Sequence, residues 1–101
     1  MADLDKAHNL LGMANRTRKL TLGMSVTQES LRAGRTILLL LAADLSENAA
    51  KKVSAVADEK KTPILRAGSK QKYGELFGRV ELGIIGIEDH GFAKAIKKAL
   101  Q

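Results

Sequence analysis

The chain has 101 residues, 45% of them hydrophobic and 3% aromatic, which is enough for one domain with an aliphatic core. It contains no cysteine, which excludes disulfide bonds and thiolate metal sites, and no apolar run approaches the roughly 20 residues of a membrane span. The net charge of +6 favours an anionic partner or a solvated surface, and charge alone does not separate these two interpretations. Residues 1–6 lack the pattern of a secretory signal, so we expect a single cytoplasmic domain over residues 1–101 that contacts no membrane.

Helix-like and strand-like segments alternate from the N-terminus. Apolar or small residues recur at helical spacing over residues 4–14, and a short apolar piece follows at residues 20–22. Ser25 stands three residues before Gln28, a capping pair that predicts a helix from there to about Arg32. The first third of the chain is therefore expected to form a helix, a short strand and a second helix.

The middle of the chain predicts a buried strand, a helix and a second strand. Residues 36–43 form a continuous apolar run, too short and too uniform for an amphipathic helix, which favours a strand covered on both faces. Ser46 is expected to cap the following helix. Pro63 marks the end of that helix and opens a short strand at residues 64–66. The helix is expected to bury Ala50, Val53, Val56 and Ala57.

The last third repeats the alternation. Ser69 is expected to cap a short helix that Gly78 ends, residues 80–87 look like a strand, and Asp89 is expected to start a final helix. At least three strands therefore alternate with helices at short spacing. This order predicts an α/β sandwich with helices on both faces of the sheet.

Signals for catalysis are weak throughout the sequence. No phosphate-binding loop and no nucleophile elbow is present, and Gly83 and Gly86 lie inside a strand-like run where close packing explains them better. His8 and His90 are the only histidines, and each is expected at the surface or at a helix end rather than on a metal. We therefore expect no enzyme activity, no catalytic residue, no metal and no cofactor.

Phosphate binding has more support. The cluster Arg16-Thr-Arg-Lys19 precedes Gly23, which stands at the predicted start of a helix. A helix N-terminus offers free N–H groups to a phosphate, a glycine lets the backbone approach closely, and flanking cations add attraction. Because aromatics are nearly absent, recognition of the shape and backbone of a folded RNA fits better than base stacking.

The order of motifs resembles one family of RNA-binding proteins over nearly the whole chain. The matching segments are Leu10-Leu-Gly-Met-Ala-Asn15, Arg18-Lys-Leu20, Gly23, Ala43-Asp44, Ser46-Glu-Asn48 with Lys51-Lys52, Ser69-x-x-x-x-Gly74, Gly78 and Ile87-x-x-x-Gly91-Phe-Ala-Lys94. The family is that of the kink-turn-binding ribosomal proteins of the large subunit, including the small bacterial members of the YlxQ type.

This resemblance implies a three-layer α/β/α sandwich with a small mixed four-stranded sheet. It further implies binding to structured RNA, either a kink-turn, which is a sharply bent duplex with tandem G·A pairs, or ribosomal RNA in association with the ribosome. Apart from the resemblance, we expect a monomer. Two loops would meet the RNA, with the Asp44 turn beside them. Together with the cations, the expected RNA-binding residues are Arg16, Arg18, Lys19, Gly23, Met24, Ser25, Val26, Glu29, Arg32, Asp44, Arg79, Val80, Glu81 and Leu82.

The sequence departs from the family at the loop that reads bases. Ser25, Val26 and Glu29 stand where strong binders carry Asn, Glu and Lys. A carboxylate at Glu29 would repel the O6 acceptor of guanine, so we expect weaker or altered kink-turn affinity. The alternative is a protein-interaction module of the same fold, because the apolar Met24 and Val26 can also dock a partner protein.

Two interpretations also remain open for the second loop. Val80 and Leu82 either pack against an extruded base or begin the final strand and point into the core.

Overall fold

The computed structural model describes residues 2–101, which form five helices around a four-stranded sheet. In chain order the elements are α1 (Leu4–Arg16), β1 (Leu20–Leu22), α2 (Met24–Arg32), β2 (Leu38–Leu41), α3 (Glu47–Glu59), β3 (Ile64–Arg66), α4 (Lys70–Leu76), β4 (Ile84–Ile87) and α5 (His90–Leu100). The strands lie in the order β1-β4-β2-β3, with β2 and β3 parallel and the other neighbours antiparallel. The predicted mixed four-stranded sheet is confirmed.

Helices cover both faces of the sheet because strand side chains alternate between its two sides. Leu38 and Leu40 of β2 pack with α1, α4 and α5, whereas Leu39 and Leu41 pack with α2 and α3. All four leucines are buried, as expected for a strand covered on both faces. The three-layer α/β/α sandwich is therefore confirmed.

Four of the five helices in residues 2–101 begin at a side-chain cap. Asp3, Ser46, Ser69 and Asp89 each accept a hydrogen bond from the backbone N–H three residues later, which confirms the three caps predicted at Ser46, Ser69 and Asp89. The prediction of a cap at Ser25 is wrong. The helix begins two residues earlier because Gly23, with φ of 97°, turns the chain directly out of β1.

The last strand is shorter than its apolar pattern predicts. β4 comprises only residues 84–87, and the chain before it is a loop because the N–H of Leu82 donates to Lys70 of α4 rather than to a neighbouring strand. Gly86 lies against α2 so closely that a Cβ atom there would overlap Thr21 and stand 3.1 Å from Thr27. The close-packing interpretation of Gly86 is therefore confirmed.

The sheet has two ends, which carry different segments of the chain. We call one the loop end; it comprises Gly23 and residues 42–45, 67–69 and 79–83, joined by hydrogen bonds such as Gly23 N–H to Ile84 C=O and Ala42 N–H to Gly83 C=O. We call the other the basic end; it comprises residues 16–19, 32–37, 60–63 and 88–89, joined by Glu88 N–H to Lys19 C=O and Leu39 N–H to Pro63 C=O. Within the described residues, the helices lack the combination of length and hydropathy that a membrane span requires.

Candidate nucleic-acid interface

The N-terminus of α2 lies open at the loop end. Gly23 supplies no side chain to cap the helix, and its own N–H donates to the carbonyl of Ile84 at 2.9 Å. The N–H groups of Met24, Ser25 and Val26 are therefore left without a cap from residues 2–101, since the first turn of a helix has no intrahelical acceptor for them. Uncapped N–H groups at the positive end of the helix dipole are a general binding site for phosphate and carboxylate groups.

A guanidinium lies directly beside this helix end. Nη1 of Arg79 donates to the carbonyl oxygen of Leu22 at 3.4 Å, and a Cβ atom at Gly23 would stand 3.4 Å from the same nitrogen. Arg79 is exposed and forms no ion pair within residues 2–101. A cation next to the positive end of a helix dipole is unfavourable until an anion binds both, so this arrangement selects for an anionic ligand.

The loop that carries Arg79 is held against α4 at both of its ends. The N–H of Arg79 donates to Gly74 C=O at 2.8 Å, and the N–H of Leu82 donates to Lys70 C=O at 3.0 Å. The loop lies so close that a Cβ atom at Gly74 would stand 2.7 Å from the Arg79 carbonyl oxygen and 2.9 Å from that of Val80. Gly74 is therefore a positioning residue of the site, and the signal for it is a glycine inside a predicted helix.

The side chains of this loop divide between solvent and core. Val80 is 92% exposed, whereas Leu82 is only 3% exposed and packs in the core with Tyr73. The inclusion of Leu82 among the ligand-contacting residues is thus corrected, because its backbone is bonded to α4 and its side chain points inward. Glu81 is exposed, and its carboxylate pairs with Nζ of Lys70 at 3.2 Å.

Asp44 supports the same loop indirectly. Its Oδ1 accepts a hydrogen bond from the backbone N–H of Lys70 at 2.9 Å, at the start of α4. The carbonyl of Lys70 in turn accepts from Leu82, so the carboxylate of Asp44 fixes the helix that holds the loop. Arg66, whose role here no sequence pattern indicates, stabilises the turn next to Asp44 by donating to the carbonyl of Leu45 at 2.6 Å.

The exposed face of α2 continues the site away from the helix end. Ser25 and Glu29 are separated by one helical turn and Val26 lies beside them, and all three are exposed. Val26 is 51% exposed, so an apolar side chain and a carboxylate flank the uncapped N–H groups.

Comparison with known proteins shows which family the chain matches. Residues 5–97 match the model of the ribosomal protein L7Ae/L30e/S12e/Gadd45 family. The chain belongs to this family.

Two relatives agree with this assignment, and two solved structures are similar in fold. The chain is 34% identical over 87 residues to the RNA-binding protein YlxQ of Bacillus subtilis (strain 168), covering 86% of this chain and 87% of that one. It is 32% identical over 96 residues to the RNA-binding protein YlxQ of Enterococcus faecium, covering 95% and 92%. The structure of a protein of unknown function from Bacillus halodurans C superposes with a TM-score of 0.85 at 28% identity, covering 93% of this chain and 95% of that one. The Giardia lamblia 15.5kD RNA binding protein shares the fold, with a TM-score of 0.76 at 18% identity over 93% of this chain and 81% of that one.

The structure of this L7Ae-family chain separates the cations from the helix end that they were expected to flank. β1 carries the chain from Lys19 to Gly23 across the sheet, a run of four residues that spans about 13 Å at the strand rise of about 3.3 Å per residue. Arg32 lies at the far end of α2, about 12 Å from Met24 at 1.5 Å per residue. The expectation that these cations flank the start of α2 is therefore wrong. Of the cations expected to bind RNA, four lie at the basic end: Arg16, Arg18, Lys19 and Arg32.

His8 is also placed differently from its prediction. It is buried on α1, where its ring meets that of Tyr73 edge to face with centroids 5.8 Å apart, whereas His90 is exposed at the start of α5 as predicted. The hydroxyl of Tyr73 donates to the carbonyl of Ala67 at 2.7 Å, and burial raises the pKa of Tyr73 to about 12. These aromatic side chains fix α4, and with it the loop of Arg79, on the body of the L7Ae-family fold.

Proposed function

We propose that this chain binds structured RNA at the loop end, and that its ligand is a kink-turn, a bent duplex with tandem G·A pairs. The observation that carries the proposal is the uncapped N-terminus of α2 beside the guanidinium of Arg79. Arg79 forms no ion pair within residues 2–101, so these two positive groups form a site for a phosphate. The names of two relatives that match most of the chain, both RNA-binding proteins, support RNA as the source of that phosphate.

Each group at the loop end has a role in this proposal. The N–H groups of Met24, Ser25 and Val26 donate to phosphate oxygens, and Arg79 donates from the other side. The exposed side chain of Val80 packs against a base that the bend has unstacked. The G·A pairs then meet the exposed face of α2.

The composition of that face predicts weak reading of the bases. The hydroxyl of Ser25 donates and accepts through one oxygen, whereas an amide carries its donor and its acceptor on separate atoms and can meet a base edge at two points. The carboxylate of Glu29 accepts hydrogen bonds only, so it repels the acceptor atoms of guanine. We therefore propose a kink-turn affinity below that of family members with Asn and Lys at these positions.

The substitution Glu29→Lys tests the proposal at the residue whose carboxylate is expected to weaken kink-turn binding. We expect the wild-type chain to prefer a kink-turn over the same duplex without its G·A pairs, and E29K to raise kink-turn affinity by about tenfold, because one good contact to a base edge is worth about 1–3 kcal/mol. Dissociation constants from fluorescence anisotropy measure both. The matched control is Glu75→Lys, the same charge change on α4 in the opposite helical layer, which should gain far less. Equal binding of the two RNAs by the wild-type chain rejects kink-turn recognition.

Docking of a partner protein is a second candidate function for the same surface. Val26 and Val80 are exposed apolar side chains at one end of the molecule, which favours this alternative. Under it, E29K leaves RNA affinity unchanged. Within the RNA proposal, we also propose that the chain is a monomer and that it binds ribosomal RNA. Co-sedimentation with ribosomal subunits tests the binding to ribosomal RNA.

A further inference from the structure

The basic end carries a row of cations that the loop end does not use. Arg35 alone among them is paired within residues 2–101, with Glu88 at 3.4 Å, and that carboxylate also accepts from Ser30. Asp89 is engaged as the cap of α5. Exposed cations that form no ion pair in the described chain are Arg16, Arg18, Lys19, Arg32, Lys60 and Lys61.

The fold brings these cations together from the C-terminal ends of three helices and the turns that follow them. The turn at residues 16–19 follows α1, the turn at 33–37 follows α2, and the turn at 60–63 follows α3. In the order β1-β4-β2-β3 they lie at the ends of β1, β2 and β3, with Glu88 and Asp89 at the end of β4 between the first two, and three steps of about 4.8 Å make a row about 14 Å long. Asp58 and Glu59 in the last turn of α3 directly precede Lys60 and Lys61 in the chain, and the cations of the row outnumber these two carboxylates.

Two of the cations occupy backbone positions that would suit glycine better. Arg18 has φ of 59° and Lys61 has φ of 56°, each in the left-handed region just after a helix. α2 and α4 end with Gly34 and Gly78 in the same region, as most helices that end this way do. At α1, attraction to the negative end of the helix dipole does not require a cation at Arg18, since Arg16 already lies in the last turn of that helix. The left-handed backbone at Arg18 and Lys61 is therefore conformationally unfavourable, and it holds each charge at a fixed place.

We propose that the basic end is a second RNA-binding surface, which holds a phosphodiester backbone without reading its sequence. The proposal rests on the proposed function for the choice of RNA as the polyanion. The cations are exposed and form no ion pair within the described chain. Proteins bind nucleic-acid phosphates through such accessible positive side chains. Because the molecule measures 31 × 27 × 26 Å and the two surfaces lie at opposite ends of the sheet, the basic end contacts a different RNA segment from the loop end.

The double substitution Arg18→Gly and Lys61→Gly removes two charges while giving each backbone position the residue that suits it. We expect the variant to fold with an unchanged or higher Tm, so a loss of binding is not a loss of structure. For a duplex RNA without a kink-turn, affinity should fall about tenfold, and the log–log salt dependence should become shallower by about 1.8, or 0.9 per lost phosphate contact on duplex DNA scaling. The preference of the double variant for a minimal, short-armed kink-turn over this duplex should be greater than that of the wild-type chain.

The matched control is Lys6→Gln with Lys98→Gln, which removes the same charge from exposed positions on α1 and α5 at the opposite end of the sheet. This control should keep the duplex affinity and the salt dependence of the wild-type chain. If both double variants lose the same affinity, the basic end is ordinary surface charge and the proposal is overturned. Loss of binding to anionic phosphatidylserine vesicles, with RNA binding unchanged, overturns it in favour of a membrane.

The same titrations separate this proposal from the kink-turn proposal. If the wild-type chain binds kink-turn and duplex equally and R18G/K61G weakens both more than the control does, the basic-end surface is supported and kink-turn recognition fails. If the wild-type chain prefers the kink-turn and R18G/K61G behaves like the control, kink-turn recognition is supported and the basic-end surface is overturned.

Discussion

His8 lies on the buried side of α1 against Tyr73, and neither of its ring nitrogens has a hydrogen-bond partner within residues 2–101. Burial disfavours the charged imidazole and nearby Lys72 repels it, so the pKa of His8 lies below its ordinary value of 6.5, although Asp5 acts in the opposite direction. In the unfolded chain the same side chain is free to take up a proton. Protonation is therefore coupled to unfolding.

This coupling predicts that the free energy of unfolding decreases in acid. The stabilising effect of a neutral His8 is complete above pH 6.5 and is lost as the pH falls from there toward the lower pKa of the folded state, by at most about 1.4 kcal/mol per pH unit for one proton. Urea unfolding at pH 7.5 and pH 5.0 measures the loss in the wild-type chain and in His8→Leu, where it should be smaller. His90→Gln, at an exposed position, serves as the control and should keep the loss of the wild-type chain. An equal loss in H8L would show that other groups titrate instead.

The burial of single side chains is not predicted from the sequence. The spacing of α1 is correctly predicted to be helical, but a lone histidine on it is as compatible with the surface as with the core. Its burial depends on the position of α4, which only the tertiary fold provides. The inward orientation of Leu82 and the exposure of Val80 depend on the same helix.

At the scale of elements, α4 and the Arg79 loop behave as one unit joined at Gly74. Substitution Gly74→Ala should move the loop, because a Cβ atom there has backbone oxygens at 2.7 and 2.9 Å that cannot rotate away. We expect a lower Tm and a several-fold loss of kink-turn affinity, measured by thermal unfolding and anisotropy. The control is Gly12→Ala in α1, where a Cβ atom meets nothing within 4 Å, and it should stabilise the fold by about 0.5–1 kcal/mol. A G74A variant as stable and as active as G12A would remove Gly74 from the site.

Elements whose ends are fixed by local chemistry are predicted well, and the others are not. Ser46, Ser69 and Asp89 begin helices because a side-chain oxygen caps the backbone beside it, which is visible in sequence. The same pattern at Ser25 is misleading, because the start of α2 is set by the pairing of β1 with β4 and by the left-handed Gly23. Local patterns do not encode such pairing.

At the scale of the whole molecule, neighbours in sequence become opposite ends of the sheet. The cations at residues 16–19 and the helix start at residues 23–26 are adjacent in the chain, and a single strand of three residues separates them in space. The family resemblance predicts the fold correctly because it implies the order of the strands. Charge clustering along the chain carries no such order, so the division into a loop end and a basic end emerges only from the structure.

The most direct test of the loop-end account is to titrate the ¹⁵N-labelled chain with a minimal, short-armed kink-turn RNA and follow every backbone amide by NMR. The largest shifts should fall on Met24, Ser25 and Val26 and on residues 79–81, because these N–H groups and this loop are proposed to meet the phosphates and the unstacked base. The amides of α5, in the layer across the sheet from α2, should not move. Binding with shifts confined to other surfaces, and none at residues 24–26, would contradict the account.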